Sequence, residues 1–293
     1  MTTVIGTKTG PRSFKLALES ASGSGGALRA IGAASALAAR VGVEAGFDAL
    51  WVSGLEVSAA LGLPDENVIG SRDLADVVAV LRRASGLPII VDIDNAGGSP
   101  ATARRVACDL TRAGAAALCL EDSAYPKVNS FSTHRDQLLA DPELVREQLA
   151  AIRESGPSTV IIARTEALIC GTGIPEAHGR AARYAAAGAD ALLIHSKDPS
   201  GEQALCSASA WTGDTPLVTV PTAFPHLDDA RLAAAGYGLA IYANQLSRAS
   251  LAAMRAAAAA FTASGSFTAP GCPPLADVQD LLRIGNPDAR ASL

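Results

Sequence analysis

One junction recurs along the chain: a helical stretch ends on alanine, glycine follows, and an apolar run begins within a few residues. It occurs four times, at Ala45-Gly46, Ala113-Gly114, Ala187-Gly188 and Ala235-Gly236. Glycine readily takes the left-handed conformation that ends a helix, and a short apolar run is typical of a buried strand. Strands that alternate with helices predict a parallel sheet.

Eight apolar runs are predicted as strands: 14–18, 49–52, 89–92, 116–120, 160–163, 191–194, 217–220 and 239–242. Between the first two we expect a Gly/Ser-rich loop over 20–26 and an alanine-rich helix that extends to Glu44. Helix 100–113, ended by Gly114, separates the third and fourth strands. Eight such units imply a closed (β/α)8 TIM barrel, which commonly fills a chain of 293 residues as one domain.

The barrel prediction has one alternative, and the end of the chain is predicted separately. An open doubly wound sheet is the alternative, but its dinucleotide fingerprint is incomplete, because Leu28 stands where the third glycine after Gly23 and Gly25 belongs. Residues 265–293 are predicted as a C-terminal tail within the single domain 1–293. Its short amphipathic segment, 275–284, is expected to pack on the barrel or on a neighbouring subunit.

Composition narrows the classes of partner. Apolar residues make up 49% of the chain, charged residues 18%, and the net charge is −5 without a basic run, so nucleic acid and anionic membranes are not expected partners. The five cysteines lack metal-site spacing and are expected to be reduced thiols. No signal peptide or membrane-spanning run is recognisable, so a cytoplasmic location is predicted.

Acidic residues follow two neighbouring predicted strands. Asp92 and Asp94 come at the end of 89–92, and Glu121 follows 116–120. The carboxyl ends of parallel strands share one edge, and period-two alternation should point Asp92 and Asp94 the same way. Acids at strand ends also cap helices or face water. An oxygen cluster without thiolate or imidazole favours a hard divalent cation, Mg²⁺ first.

The other strand ends complete a polar rim. Ser53-Gly54-Leu55 follows the second strand, where Gly54 would let backbone amides approach an oxyanion. Arg164-Thr165-Glu166 and His195-Ser196-Lys197 end the fifth and sixth, and Thr222 and Asn244 follow the last two. A guanidinium beside a metal suits phosphate or carboxylate, although Arg164 alone could be a structural ion-pair partner and His195 a buried imidazole.

Together these motifs resemble the phosphoenolpyruvate mutase group of the isocitrate lyase superfamily, over about three quarters of the chain. The resemblance implies a Mg²⁺ site at Asp92, Asp94 and Glu121. It implies that Ser53 and the Gly54-Leu55 amides, next to Trp51, bind the carboxylate and carbonyl of a pyruvyl group. Leu61-Gly62-Leu63-Pro64-Asp65 matches the turn whose aspartate reaches the active site.

The remaining roles follow from the same resemblance. Arg164 matches the arginine that binds the phosphoryl group and His195 the active-site histidine, with Asn129 beside them. The reaction implied is the interconversion of phosphoenolpyruvate and phosphonopyruvate by intramolecular phosphoryl transfer, the entry to phosphonate natural products. A homo-oligomer is also implied, a dimer or a tetramer with exchanged C-terminal helices.

The segment Pro126-Lys127-Val128-Asn129-Ser130 discriminates among the reactions of the superfamily. Lys-x-Asn-Ser resembles the gating loop of the mutases. The related phosphonopyruvate hydrolases usually carry Thr-Ser without asparagine, and the carbon–carbon lyases carry a Cys-Gly-His loop. Lys127, Asn129 and Ser130 are therefore predicted catalytic residues. A hydrolase, a lyase on a similar 2-oxo acid and a non-catalytic binding subunit remain alternatives.

Two positions depart from the family pattern beside the predicted metal site. The second aspartate is usually followed by Thr-Gly-Tyr/Phe-Gly, whereas Asp94 is followed by Asn95-Ala96-Gly97-Gly98. Ser123 stands where the family usually has lysine after Glu-Asp. These changes leave the exact substrate open.

Overall fold

Eight parallel strands follow one another around a closed barrel in the computed structural model, which describes residues 10–132 and 136–285. The strands are β1 Leu28–Gly32, β2 Ala49–Val52, β3 Ile89–Asp92, β4 Ala117–Glu121, β5 Val160–Thr165, β6 Ala191–Ile194, β7 Leu217–Thr219 and β8 Tyr237–Tyr242. β1 pairs with β8 and closes the ring. The predicted (β/α)8 barrel is confirmed.

Helices surround the barrel and extend past it at the C-terminal end. In the described part of the chain they are α1 Pro11–Ser24, α2 Ala36–Glu44, α3 Gly54–Leu61, α4 Ser71–Ala84, α5 Pro100–Ala113, α6 Pro142–Ser155, α7 Ile174–Ala186, α8 Glu202–Ala210, α9 Asp229–Ala234, α10 Gln245–Ser264 and α11 Val278–Gly285. A short 3-10 turn, Ala96–Gly98, follows β3.

Two apolar cores stabilise the fold, as expected of strands buried on both faces. The inner core fills the barrel with small and medium side chains, including Ala30, Ala117 and Ile162, together with Trp51. The outer core lies between the strands and the helices and includes Leu50, Leu118 and Tyr184. Alanine at many of these positions lets the helices approach the strands closely.

The prediction of the first strand at 14–18 is wrong. Those residues belong to α1, which begins with Pro11 as its first helical residue. Phe14 and Leu18 are four residues apart, so they share one face, and they pack into the inner core at the amino-terminal end of the barrel. A helix that plugs the barrel is as apolar on one face as a short strand, which explains the misreading.

The true first strand lies inside the stretch predicted as loop and helix. Leu28–Gly32 pairs with both neighbours through Ala30, which faces Ala49 in β2 and Ile241 in β8. Its alanine and glycine content lowered the strand signal. The loop expected over 20–26 is also partly wrong, because α1 continues to Ser24.

The glycine junctions are confirmed. Gly46, Gly114, Gly188 and Gly236 all adopt positive φ, between 76° and 104°, within two residues of the end of a helix. Helix 100–113 is confirmed with the predicted bounds. The other seven predicted strands agree with the structure within two residues at each end.

The described part of the tail ends with α11, which contacts helix α2 of the outer layer. The last residues of the predicted tail, 286–293, and the start of the chain lie outside the described residues. Among the helices that are described, none has the length and apolar character needed to cross a bilayer.

Candidate active site

Three buried carboxylates meet at the carboxyl-terminal edge of β3 and β4. Asp92, Asp94 and Glu121 each offer an oxygen within 4.8 Å of the others. Strand pairing sets the separation of Asp92 and Glu121. Asp92 pairs with Cys119 of β4, and Glu121 lies two residues further along β4. The predicted convergence of these acids on one edge is confirmed.

The reason predicted for the position of Asp94 is wrong. β3 ends at Asp92, and Asp94 lies beyond it with φ at 49°, in the left-handed region. The turn brings the Asp94 amide 3.2 Å from Asp92 Oδ1, and the Asp94 carbonyl accepts a hydrogen bond from the Glu121 amide at 2.8 Å. Asp94 thus joins the cluster through a turn rather than through strand alternation.

Burial dominates the electrostatics of the cluster. It raises the pKa of Asp94 to about 6, and the nearby Asp92 carboxylate adds to the rise while Lys127 opposes it. Burial also raises the pKa of Glu121 to about 8, against the pull of Arg164. Glu121 Oε2 accepts no hydrogen bond from the described residues. An all-oxygen donor set with an unsatisfied buried oxygen fits a hard divalent cation.

A lysine from the β4–α6 segment reaches the same acids. Lys127 is buried, and its ammonium group donates hydrogen bonds to Asp94 Oδ1 and, at 3.0 Å, to Asp65 Oδ1. Burial alone would lower the pKa of Lys127, but the facing carboxylates of Asp94 and Glu121 raise it. The lysine therefore stays charged.

The segment 127–130, called here the lid, covers the barrel mouth. Asn129 Nδ2 donates to Asp65 Oδ2 at 2.6 Å, and Ser130 Oγ donates to Glu166 Oε2 at 2.8 Å. The backbone amide of Lys127 is bound by Asn67 Oδ1 at 2.6 Å. Each polar side chain of the lid therefore has a partner on the barrel.

A cationic group faces the acids across the mouth. Arg164, at the end of β5, donates from Nε to Glu166 and lies 3.6 Å from Asp92 Oδ2. His195 Nδ1 is 2.9 Å from both Glu166 Oε1 and an Arg164 nitrogen. Burial would raise the pKa of Glu166, but the Arg164 charge outweighs it and the pKa falls well below its ordinary value. Burial lowers the pKa of His195.

The third part of the mouth is the N-terminus of α3. Ser53 is its N-cap and accepts from the Glu56 amide, and Gly54 is the first helical residue. A Cβ at Gly54 would lie 3.4 Å from Asp94 Oδ1 and 3.5 Å from Asp65 Oδ1, so the backbone approaches the acids closely. Free amides at a helix start are suited to an anion.

One small cavity of about 60 Å³ joins these groups under the lid. It is lined by most of the predicted site residues, namely Trp51, Ser53, Leu55, Asp65, Asp92, Lys127, Asn129, Ser130, Arg164 and His195. Gly54 and Asp94 line a second cavity, about 270 Å³, on the far side of the acids. Glu121 lines neither cavity but belongs to the same acid cluster as Asp92 and Asp94, so the structure brings all the predicted residues around one centre.

Some site residues were missed by the sequence reasoning. Glu166 bonds Arg164, His195 and Ser130 but was not among the predicted site residues. Its position two residues after Arg164, at the end of the same strand, was the available signal. Asn67 and Phe131 carry no such signal. Phe131 packs edge-on against the His195 ring, with centroids 6.4 Å apart.

The two departures from the family pattern contact each other. Asn95 Nδ2 lies 3.5 Å from Ser123 Oγ and donates to the Ala124 carbonyl at 3.2 Å. Ser123 Oγ in turn donates to Glu121 Oε1 at 2.5 Å. The two changes therefore form one chain of hydrogen bonds that ends on an acid of the cluster.

Solved structures of the phosphoenolpyruvate mutase/isocitrate lyase superfamily match this closed (β/α)8 barrel over nearly its whole length. Within that superfamily, the chain belongs to the phosphoenolpyruvate phosphomutase family, whose sequence profile matches residues 19–262. The resemblance stated from the motifs is confirmed.

Relatives of different activity match at similar levels. A phosphoenolpyruvate phosphomutase of Streptomyces hygroscopicus is 42% identical over 236 residues, 78% of this chain and 74% of the relative. A phosphonopyruvate hydrolase of Variovorax sp. (strain Pal2) is 37% identical over 242 residues, 82% and 83% of the two chains. A crystal structure of phosphonopyruvate hydrolase with oxalate and Mg²⁺ superposes with a TM-score of 0.84 at 33% identity, covering 94% of this chain and 96% of that one. The family thus contains enzymes that act on small molecules, and lyases are also among its relatives.

Proposed function

We propose that the protein is a phosphoenolpyruvate phosphomutase that interconverts phosphoenolpyruvate and phosphonopyruvate, in phosphonate biosynthesis. In the direction of synthesis the bond from phosphorus to the enol oxygen breaks, a bond from phosphorus to C3 forms, and the enol oxygen becomes the ketone oxygen. All atoms stay in one molecule and no water enters. A loose phosphoryl transition state of this kind needs positioning and charge stabilisation more than covalent help.

The observation that carries the proposal is the position of Asn129. Its amide is held by Asp65 over a cavity that Arg164 and His195 also line. An asparagine amide can donate to a phosphoryl oxygen but cannot attack it or deprotonate a water. The Asn129 amide of the lid can therefore bind the phosphoryl group while it moves from oxygen to carbon. Transfer between two atoms of one substrate requires such a binding group.

The acid cluster is proposed to hold Mg²⁺ through Asp92, with Asp94 and Glu121 in support. Its unsatisfied oxygen and oxygen-only donors favour this assignment. Bound Mg²⁺ supplies positive charge that stabilises the enolate form of the substrate. Asp65 and Lys127 lie beside the cluster, and the ammonium group of Lys127 balances part of its negative charge.

The substrate's carboxylate is assigned to the start of α3. The Gly54 and Leu55 amides and the Ser53 hydroxyl would donate to it, and Trp51 lines the same cavity. The buried indole nitrogen of Trp51 has no hydrogen-bond partner among the described residues, and Trp51 lines the cavity, so it is a further candidate donor to a polar ligand.

Arg164 and His195 are assigned to the phosphoryl group. Glu166 bonds both and fixes their orientation, so little rearrangement is needed when charge develops. The closed lid protects the pyruvate enolate, because Lys127 and Ser130 are buried and Phe131 covers His195. Water and protons are thereby kept from the carbon that recaptures phosphorus.

Hydrolysis of phosphonopyruvate is the second candidate, because a hydrolase matches the chain over 82% of its length. The same groups would then hold the phosphoryl group while a water molecule takes it. Asn129 of the lid argues against hydrolysis, because its amide cannot act as a base that deprotonates a water molecule.

Phosphorus NMR tests the proposal directly. The protein is incubated with Mg²⁺ and phosphonopyruvate. A signal that moves to phosphoenolpyruvate supports the mutase, and one that moves to free phosphate, with pyruvate, supports the hydrolase. Asn129→Ala should lower turnover to phosphoenolpyruvate by about a hundredfold, and Val128→Ala is the matched control within the lid.

We also infer a homo-oligomer, a dimer or a tetramer. The 20-residue helix α10 has no buried side chain, and Leu251, Met254 and Phe261 on it are exposed. Light scattering during size-exclusion chromatography measures the mass. A particle of 29.6 kDa would contradict the inference.

A further inference from the structure

A buried carboxyl group lies outside the proposed catalytic set. Glu56 is in the first turn of α3, two residues after Gly54, and is 3% exposed. Its Oε1 accepts a hydrogen bond from the Ser247 hydroxyl in the first turn of α10. Its Oε2 is buried and has no hydrogen-bond partner among the described residues. Glu56 therefore connects two helices that both start at the barrel mouth.

The space for this carboxyl group comes from the end of β1. A Cβ at Gly32 would lie 2.5 Å from Glu56 Oε2 and would also collide with the carbonyl oxygen of Ala243. Ala33 and Ala34 follow Gly32, so β1 contributes no large side chain to the rim. Glu56 fills the gap that this leaves between the ends of β2 and β8.

The surroundings of Glu56 favour its neutral form. Burial raises the pKa of Glu56 to about 7, against the lowering effect of the Ser247 hydrogen bond. Arg248 of α10 and Ser35 at the start of α2 line the same cavity as Glu56, and no ion pair joins Glu56 to Arg248 in the described part of the chain. Glu56 Oε2 and the Ala243 carbonyl oxygen both lie within 2.5 Å of the position that a Gly32 Cβ would take, so a proton on Oε2 has an acceptor nearby.

We propose that Glu56 is a positioning residue for the substrate's carboxylate: its side chain joins the start of α3 to the start of α10 and fixes the distance between Ser53-Gly54-Leu55 and Ala243-Asn244. Both segments line the mouth. The inference rests on the proposed function, because that function assigns the carboxylate to the α3 amides. Without the Glu56 side chain, the amides at the start of α3 can move away from the start of α10. Substrate binding then weakens more than the rate of the chemical step falls.

The first experiment measures binding of oxalate, with Mg²⁺ present, by titration calorimetry. At pH 6.5, Glu56→Ala should weaken oxalate binding about tenfold, Ser247→Ala should weaken it less, and Glu56→Gln should stay within about threefold of wild type, since glutamine has both the acceptor and the donor of the neutral carboxyl group. Glu147→Gln, an exposed position in α6, is the matched control. In steady-state kinetics, Glu56→Ala should raise KM with kcat changed by less than about threefold.

The pH profile separates positioning from general loss of structure. As pH rises through about 7, Glu56 of the wild type loses its proton. Its Oε2 then repels the Ala243 carbonyl, so wild-type affinity for oxalate should fall relative to Glu56→Gln, which cannot ionise. Equal pH profiles for wild type and Glu56→Gln overturn the proposal, as does wild-type affinity in Glu56→Ala.

A readout without ligand keeps the inference separate from the proposed function. Amide hydrogen exchange in 54–61 and 245–250 should be faster in Glu56→Ala than in wild type, and unchanged in Glu56→Gln and Glu147→Gln. If oxalate and phosphonopyruvate fail to bind wild type, the proposed function fails while this measurement still tests the link. Unchanged exchange of both segments in Glu56→Ala overturns the link itself.

Discussion

Glu121 and Asp122 are consecutive residues at the end of β4, and both are buried, yet their carboxylates differ in the hydrogen bonds that they accept. Asp122 points to the helical layer and accepts four hydrogen bonds: from Thr165 Oγ1, the Glu166 amide, Arg180 and the Tyr184 hydroxyl, at 2.8–3.1 Å. Glu121 belongs to the acid cluster at the mouth and accepts one hydrogen bond, from Ser123, while its Oε2 accepts none from the described residues and has only an ion pair with Arg164 at 3.5 Å.

The difference separates a structural group from a reactive one. Four donors satisfy Asp122 within the fold, so it has no capacity left for a ligand, and it holds the backbone of Glu166 in place. Glu121 Oε2 accepts no hydrogen bond from the described residues and lies 3.5 Å from an Arg164 nitrogen, and burial raises the pKa of Glu121 to about 8. A buried carboxylate oxygen without a hydrogen bond costs free energy, and the Arg164 charge at 3.5 Å offsets only part of that cost. We interpret this cost as the mark of the proposed metal site.

The largest effect is expected on turnover, when an acid of the cluster at the barrel mouth is changed. Asp92→Asn should reduce turnover by about a thousandfold, because it removes charge from the acid that leads the proposed Mg²⁺ site. Mn²⁺ binding, followed by electron paramagnetic resonance, should weaken in parallel while the melting temperature changes little. Asp76→Asn, on the exposed face of α4, is the control. Turnover within tenfold of wild type would contradict the assignment of Asp92.

Changes to the structural carboxylate, Asp122, and its donors should lower the free energy of unfolding. Asp122→Asn should lower the free energy of unfolding by about 3 kcal/mol, because it leaves the buried Arg180 charge with only the exposed Glu176 carboxylate as a partner. Tyr184→Phe removes one of the four donors and should cost about 1 kcal/mol. Urea denaturation at pH 7 measures both. An Asp122→Asn variant as stable as wild type would show that the four-donor network does not support the fold.

Added Mg²⁺ should stabilise the wild type by about 2.7 kcal/mol at a concentration a hundred times its Kd, since it binds the folded chain. Glu121→Gln should lose most of this gain and, without metal, be as stable as wild type or slightly more. Tyr184→Phe should keep the full gain. Equal gains in both variants would remove the distinction between the two carboxylates.

A carboxylate far from the mouth gives the smallest effect and a test of pH. Asp190 accepts hydrogen bonds from Lys15 at 2.6 Å and from the Ile161 amide at 2.8 Å. Burial would raise the pKa of Asp190, but these bonds and Arg153 lower it. Its stabilisation is therefore present above the ordinary aspartate pKa and is lost as pH falls through the lower folded value.

Asp190→Asn should accordingly cost about 1 kcal/mol at pH 7 and less at pH 3. Urea midpoints at the two pH values give the difference. A cost that grows towards acid pH would show that the lowered pKa was assigned with the wrong sign.

Much of the barrel was predictable from local pattern. The glycine junctions and β-branched runs identified seven strands, and the common edge of parallel strands predicted the meeting of Asp92, Glu121 and Arg164. The first strand was missed because Leu28–Gly32 has the composition of a helix or loop, and only pairing with β2 and β8 makes it a strand.

The site was predictable as a set of residues but not as an arrangement. Asp94 reaches the cluster through a left-handed turn that no periodicity predicts. The ties from Asn129 to Asp65 and from Ser130 to Glu166 join residues more than thirty positions apart. Asn95 and Ser123 looked like two independent departures, and only the structure shows that they touch.

The helix that plugs the barrel has a practical consequence for anyone who shortens the chain. Removing residues before Leu28 would take away Phe14 and Leu18, two fully covered side chains worth roughly 2 kcal/mol each. Water would then reach the interior from the end opposite the reaction. Expression of a trimmed barrel should therefore start no later than Gly10, with any affinity tag placed ahead of it.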